Sequence, residues 1–163
     1  MRYAACLLSL LVVVGTLFRS ARGDEKMSEN KSAVHFTNFP DLPTCMTGAV
    51  ESGDPSTGSS IILTKGTAGC TVPWHWHTLT EQLMFVSGTA RVSVKDGPAK
   101  LMHAGDFISF PSKAVHQLTC VEACKLFVSS DAAFDIHYVD ASGNEISSDE
   151  ALKSKAKPAK NKM

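Results

Sequence analysis

The sequence predicts an all-β fold, a sandwich or small barrel, and three observations carry that prediction. From Ala33 to Ile146 short apolar or alternating runs, each about four to eight residues long, are separated by turn signals. These signals are Gly53-Asp54-Pro55, Lys65-Gly66, Ser87-Gly88, Asp96-Gly97-Pro98, Ala104-Gly105-Asp106, Pro111-Ser112 and Ser142-Gly143-Asn144. Nothing between the runs is long enough for the crossover helices of a parallel sheet.

In chain order the expected strands are Thr47–Glu51, Ser60–Lys65, Thr71–His77, Glu81–Ser87, Ala90–Lys95, Ala99–Met102, Phe107–Phe110, His116–Thr119, Lys125–Ser129 and Phe134–Tyr138. Ahead of them, Arg2 precedes an uncharged apolar run from Ala4 to Phe18, too short to span a bilayer comfortably. Ala21 and Gly23 supply the small residues that a signal peptidase requires three and one positions before its cut. Residues 1–23 therefore read as a signal peptide cleaved after Gly23; an uncleaved amino-terminal anchor and a buried helix are the other readings of the run. Residues 24–32 are polar and read as a flexible lead-in to a single domain over 33–146. Residues 147–163 read as a short helical turn and a disordered basic tail.

Cleavage leaves about 140 residues, enough for one domain with a real core. The leader takes Arg2, Arg19 and Arg22 with it, leaving 13 basic residues against 16 acidic ones. That balance lacks the basic excess that draws a protein to nucleic acid. An exported protein, periplasmic or extracellular and without stable membrane insertion after cleavage, is expected.

The chemistry lies mid-chain. His75 and His77 are two apart, so on a strand both side chains leave one face. Glu81 follows after Thr78-Leu79-Thr80, a gap short enough for a tight hairpin turn. Two imidazoles and a carboxylate suit one divalent transition metal, Mn, Fe, Ni, Co or Zn, better than Ca or Mg, which prefer oxygen. His116 opens a later strand and supplies a fourth ligand if the fold brings it in.

Here the spacing becomes specific. Gly69, five residues, His75, one residue, His77, three residues, Glu81, six residues, Gly88 matches in full the first motif of the cupin family. By chance it would arise less than about once in ten thousand sequences of this composition. Gly105, five residues, Pro111, four residues, His116 resembles the second cupin motif, with Lys113 where the family usually has Gly and Cys120 where it usually has Asn. Neither position is a metal ligand; Lys113 is expected to change the turn before His116, and Cys120 to remove an amide that could support the strand edge. The resemblance implies a double-stranded β-helix, a jelly-roll barrel whose mouth holds the metal, usually in a homodimer. Cupins are functionally diverse, so it fixes fold and metal better than reaction.

Parity places Leu83, Phe85 and Leu118 inward beside the ligands, giving an apolar pocket for a small organic molecule with one or two oxygen donors. Trp74 and Trp76 point the other way, into a dimer interface or against a neighbouring strand. His103 belongs to an exposed turn, His35 carries no signal, and His137 shares a face with Asp135, with no spacing that ties either to the metal. Four cysteines remain after cleavage; Cys120 and Cys124 flank a short turn and are expected to be bridged, with Cys45 and Cys70 less predictable. Three mechanistic classes remain open: a metal-dependent dioxygenase, which the open coordination positions favour; a metal-assisted isomerase, lyase or decarboxylase; and a non-catalytic exported module that binds a small ligand or the metal. No general base can be assigned.

Overall fold

The computed structural model describes residues 34–153. The leader, the lead-in and the tail beyond Lys153 lie outside the described residues. Eleven strands and one short helix follow in order: β1 Met46–Gly53, β2 Ser60–Gly66, β3 Thr71–Trp76, β4 Glu81–Ser87, β5 Ala90–Val94, β6 Lys100–Met102, β7 Phe107–Phe110, β8 His116–Cys120, β9 Cys124–Ser130, β10 His137–Val139, β11 Glu145–Ile146 and α1 Ser148–Lys153. They form two antiparallel sheets, β1-β2-β9-β4-β7 and β11-β10-β3-β8-β5-β6. This is a jelly roll of the cupin type. No helix among the described residues is long and apolar enough to cross a membrane.

The period-2 pattern explains why these segments are strands and which face each buries. In β2, Ser60, Ile62, Thr64 and Gly66 are buried and the residues between them more exposed; in β4, Glu81, Leu83 and Phe85 are buried; in β8, His116, Leu118 and Cys120. The inward sets of the two sheets interdigitate into one core that includes Leu83, Phe85, Val92, Phe110, Leu118, Leu126 and Tyr138.

Three strand expectations change. The expected strand Phe134–Tyr138 is paired only over His137–Val139, because Phe134 and Ile136 turn into the barrel and Asp135 bonds to the β3–β4 connection. β11 was not foreseen; it is two residues long, too short to show a period. The third change concerns Thr78-Leu79-Thr80, which does not close a hairpin: β3 pairs with β8 and β10, whereas β4 pairs with β7 and β9. The connection carries the chain from one sheet to the other, so Glu81 faces the histidines across the barrel interior.

A bulge sets the phase of β3. Val72 pairs with Leu118 and His75 with His116, so Pro73 and Trp74 together oppose Gln117. Proline lacks the N–H that a regular ladder would require there. The extra residue swaps faces: Val72 points inward before it, His75 and His77 after it.

The ends of β3, β8 and β9 away from the histidines are covalently closed. Cys45 is bonded to Cys70 and Cys120 to Cys124, and Cys120 N donates to Cys70 O at 2.8 Å. Gly66 fits against this cluster because a Cβ there would stand 2.6 Å from Cys120 Sγ. The strand edge that lacks the family's Asn is therefore held by a disulfide. At the second departure, Lys113 adopts φ of 66°, the left-handed conformation that a glycine takes freely. Lys113 N donates to His77 O at 2.8 Å and Ala114 N to Pro111 O at 3.0 Å. The turn is kept rather than changed, at some backbone cost.

Candidate metal centre

His75, His77, Glu81 and His116 are all buried, and one donor atom from each lies within 4.8 Å of the others. His75 and His116 are direct cross-strand partners on β3 and β8, His77 follows β3, and Glu81 opens β4 on the facing sheet. His116 is clamped from one side by Phe110, whose ring stacks on it at 3.9 Å and 4°.

The hydrogen bonds fix which nitrogen faces inward. His75 Nδ1 lies 2.6 Å from Pro73 O, His116 Nδ1 lies 2.9 Å from Ala114 O, and His77 Nδ1 meets Asp135 O. A carbonyl only accepts, so each Nδ1 carries a proton and each ring turns its Nε2 inward toward Glu81. His77 Nε2 lies 3.6 Å from Glu81 Oε1 and His116 Nε2 lies 3.0 Å from Glu81 Oε2. His77 Nε2 and Glu81 Oε2 are buried with no hydrogen-bond partner. Buried acceptors aimed at one point are costly unless a cation satisfies them together.

A divalent ion fits that requirement. Ligands about 2.1 Å from one ion stand about 3 Å apart at a right angle and about 4.2 Å apart across it. The donor atoms, all within 4.8 Å of one another, lie at separations of that order. Protonation states agree with the donor chemistry. Burial, followed by the neighbouring His116 and His77, pulls the His75 pKa down to about 3, so its ring is neutral near pH 7. Burial opposes the charge on Glu81, but His116 and the other imidazoles outweigh it and bring its pKa down to about 2. Three imidazole nitrogens and one carboxylate suit a transition metal.

The site opens on a cavity of ≈ 70 Å³, room for about five waters or a small organic molecule. Leu83 and Leu118 line it, together with Val72, Leu126, Val128 and Ile62. Phe85 does not. It has the right parity but lies two residues deeper on β4, packed into the core with 4% of its surface exposed. Sequence reasoning also missed the residues that line the cavity from outside the motif strands: Phe39, Leu42, Phe134 and Ile136. Thr64 is the one lining residue with a hydroxyl, and that hydroxyl donates to Leu126 O at 3.1 Å.

The other sequence candidates separate cleanly. Trp76 stacks on His137 at 4.0 Å and 7°, so it packs against the neighbouring strand. Its exposure is intermediate, as is that of Trp74. His137 contacts Glu145 at 2.8 Å and Asp135 at 3.3 Å, outside the cavity; these carboxylates, Glu145 first, raise its pKa. His103 is exposed beside its turn, with its N–H donating to Asp106. Asp135 is tied to the metal group through its own carbonyl, a role without any sequence signal because every residue carries that atom.

Fold and site together define the class. Residues 62–130 match the family model described as Cupin domain, and all four donors lie within that stretch. Solved structures agree in fold: the polyketide cyclase RemF from Streptomyces resistomycificus superposes with a TM-score of 0.58 at 14% identity, covering 66% of this chain and 80% of that one. An RmlC-like cupin from Shewanella frigidimarina NCIMB 400 gives 0.56 at 17%, over 68% and 92% of the two chains. The DMSP lyase DddQ from Ruegeria pomeroyi DSS-3 gives 0.52 at 15%, over 60% and 56%. No curated protein matches the chain. At these identities the likeness is one of fold alone.

Proposed function

We propose that this metal-binding cupin is a dioxygenase that joins both atoms of dioxygen to a small, largely apolar organic substrate. One observation carries the reading: the cavity lining contains His75, His77, Glu81 and His116 and, among the described residues, no further titratable side chain. A metal-assisted isomerase or lyase usually requires a positioned base within hydrogen-bond reach of the proton it moves. An oxygen-dependent reaction at a redox-active ion has no such requirement.

Four protein ligands leave up to two positions of a six-coordinate ion for substrate and oxygen. Iron or manganese held there supplies the redox chemistry. The chain's own residues do the rest. The three histidines stay aimed because their Nδ1 protons are committed to carbonyls, and Glu81 stays ionised to balance the charge. Leu83, Leu118, Val128 and Phe134 exclude water from the reacting atoms and offer no partner for a charged substituent. Export fits the same reading, since two disulfides suit an oxidising compartment.

The test compares wild type with Glu81→Gln. Both are loaded anaerobically with Fe(II) or Mn(II) and given oxygen with small phenols, diketones and thiols. Wild type is expected to consume oxygen with at least one substrate and the variant to lose that uptake. A wild type that binds a member of the panel yet consumes no oxygen above the variant with any pairing would move the assignment to the non-catalytic binding module.

A further inference from the structure

The three metal-facing histidines are not held alike. His75 and His116 each donate Nδ1–H to the carbonyl two residues earlier on their own segment, Pro73 O and Ala114 O. Those bonds come with the local backbone. His77 donates instead to Asp135 O, 58 residues away, on the segment that precedes β10.

Asp135 grips the same place twice more. Its Oδ1 accepts from Thr78 N at 2.9 Å and its Oδ2 accepts from the Thr78 hydroxyl. Side chain and main chain of one residue thus fix both the ring of His77 and the backbone that follows it. The residues on either side of Asp135 enter the cavity: Phe134 lies 5.0 Å from the His77 ring, and Ile136 lines the wall. A second acidic clasp holds the other end of the same connection, where Asp131 Oδ1 accepts from Thr80 N at 2.9 Å, one residue before Glu81 and with no bond to a ligand ring.

We propose that Asp135 is the positioning residue for His77, and that segment 131–136 thereby ties the aim of one metal ligand to the wall of the substrate cavity. This rests on the metal-site reading and not on the oxygen chemistry. His75 and His116 form a fixed pair, whereas His77 is the adjustable corner, set by a loop that a cavity-filling molecule would touch through Phe134. The outer carboxylate therefore acts at the centre through hydrogen bonds without meeting ion or substrate.

Co(II) is the probe, because its visible absorption reports ligand geometry independently of turnover. The full-length chain is prepared as wild type, Asp135→Ala, Asp135→Asn, Thr78→Val and Asp131→Ala, with far-UV circular dichroism to confirm folding. Asp135→Ala is expected to weaken Co(II) binding by about 10–100-fold and to shift the absorption bands. Asp135→Asn, which keeps an oxygen for Thr78 N–H, recovers part of both. Asp131→Ala, which removes a single bond to the Thr80 backbone and none to a ligand ring, is expected to change Co(II) affinity and bands less than Asp135→Ala does.

Wild-type affinity and spectrum in Asp135→Ala, or equal changes in Asp131→Ala, would overturn the proposal while the metal site stood. If Asp135→Ala fails to fold, Thr78→Val decides: it removes one leg of the clasp, and unchanged bands in that variant overturn the proposal equally. A wild type that binds no Co(II) removes both the site reading and this inference.

Discussion

The two ends of the barrel are built from the same strands and solve opposite problems. At one end of β3, β4, β8 and β9 stand His75, Glu81 and His116; at the other stand Cys70, Cys120 and Cys124. The closed end is joined by two disulfides that a backbone bond from Cys120 N to Cys70 O links to each other. The open end gathers buried acceptors that satisfy nothing in the chain itself. Stability is invested at one end, and the other is free to carry a costly arrangement whose return comes only on binding.

That contrast breaks most sharply at the disulfides. The Cys45–Cys70 bridge closes a separation of 25 residues and the Cys120–Cys124 bridge one of 4. In the chain-entropy model, Cys45→Ala with Cys70→Ala costs about 3.5 kcal/mol and Cys120→Ala with Cys124→Ala about 2 kcal/mol. Urea titrations should rank them in that order, and metal affinity should stay within about twofold of wild type in both, because the damage lies at the far end. A reversed ranking, or metal binding lost with the bridges, would mean that the two ends are not separable.

At the open end, His116→Ala should weaken metal binding by more than about tenfold, since it removes one of four ligands. Calorimetric titration with Zn(II) measures this directly. Retention of full stoichiometry and affinity in both His116→Ala and His75→Ala would remove these residues from the ligand set.

Acid should act on the open end as well. The folded pKa of His75 lies at about 3, below the ordinary value of 6.5, so between those values the unfolded chain binds a proton that the folded chain refuses. Stability of the metal-free protein therefore falls as pH drops from 6.5 toward 3, by up to about 1.4 kcal/mol per pH unit. Glu81, depressed from 4.5 to about 2, adds a further loss below pH 4.5. Urea midpoints recorded with a chelator from pH 7 to pH 4 should decline in wild type and decline less in His75→Ala. A flat wild-type profile would contradict the assigned charge states.

The smallest effect concerns the turn that delivers His116. Lys113 occupies a left-handed conformation with φ of 66°. Lys113→Gly relieves that strain but loosens the unfolded chain, so the net gain should not exceed about 1 kcal/mol in thermal unfolding, with metal affinity unchanged. A destabilised Lys113→Gly would show that the lysine stem contributes more than its backbone costs.

How much of this was legible in the residues follows from what kind of signal each feature leaves. His75, His77 and Glu81 stand at spacings that two short stretches of chain impose, and His116 carries its own motif, so all four could be named from sequence. Leu83 and Leu118 followed from strand parity. Phe85 obeyed the same parity and was misplaced, because alternation reports the face of a strand and not depth along the barrel. The face-swapping bulge at Pro73 left no mark beyond a proline inside a strand. Thr78-Leu79-Thr80 read as a hairpin turn, since length alone cannot tell a turn within a sheet from a passage between sheets. Asp135, Phe134 and Phe39 reach the site through contacts far apart in the chain, and nothing local announces them.

One feature of the cavity reaches further than the site itself. Thr64 gives its hydroxyl to Leu126, and the rest of the lining away from the four donors is apolar. A chamber with a single polar corner can recognise only the head of a guest. The body is sorted by bulk, and one methylene more or less in such surroundings is worth about 1–3 kcal/mol. If the proposed small organic guest binds there, selectivity should descend gradually along a homologous series that shares a head group rather than switch off at one member.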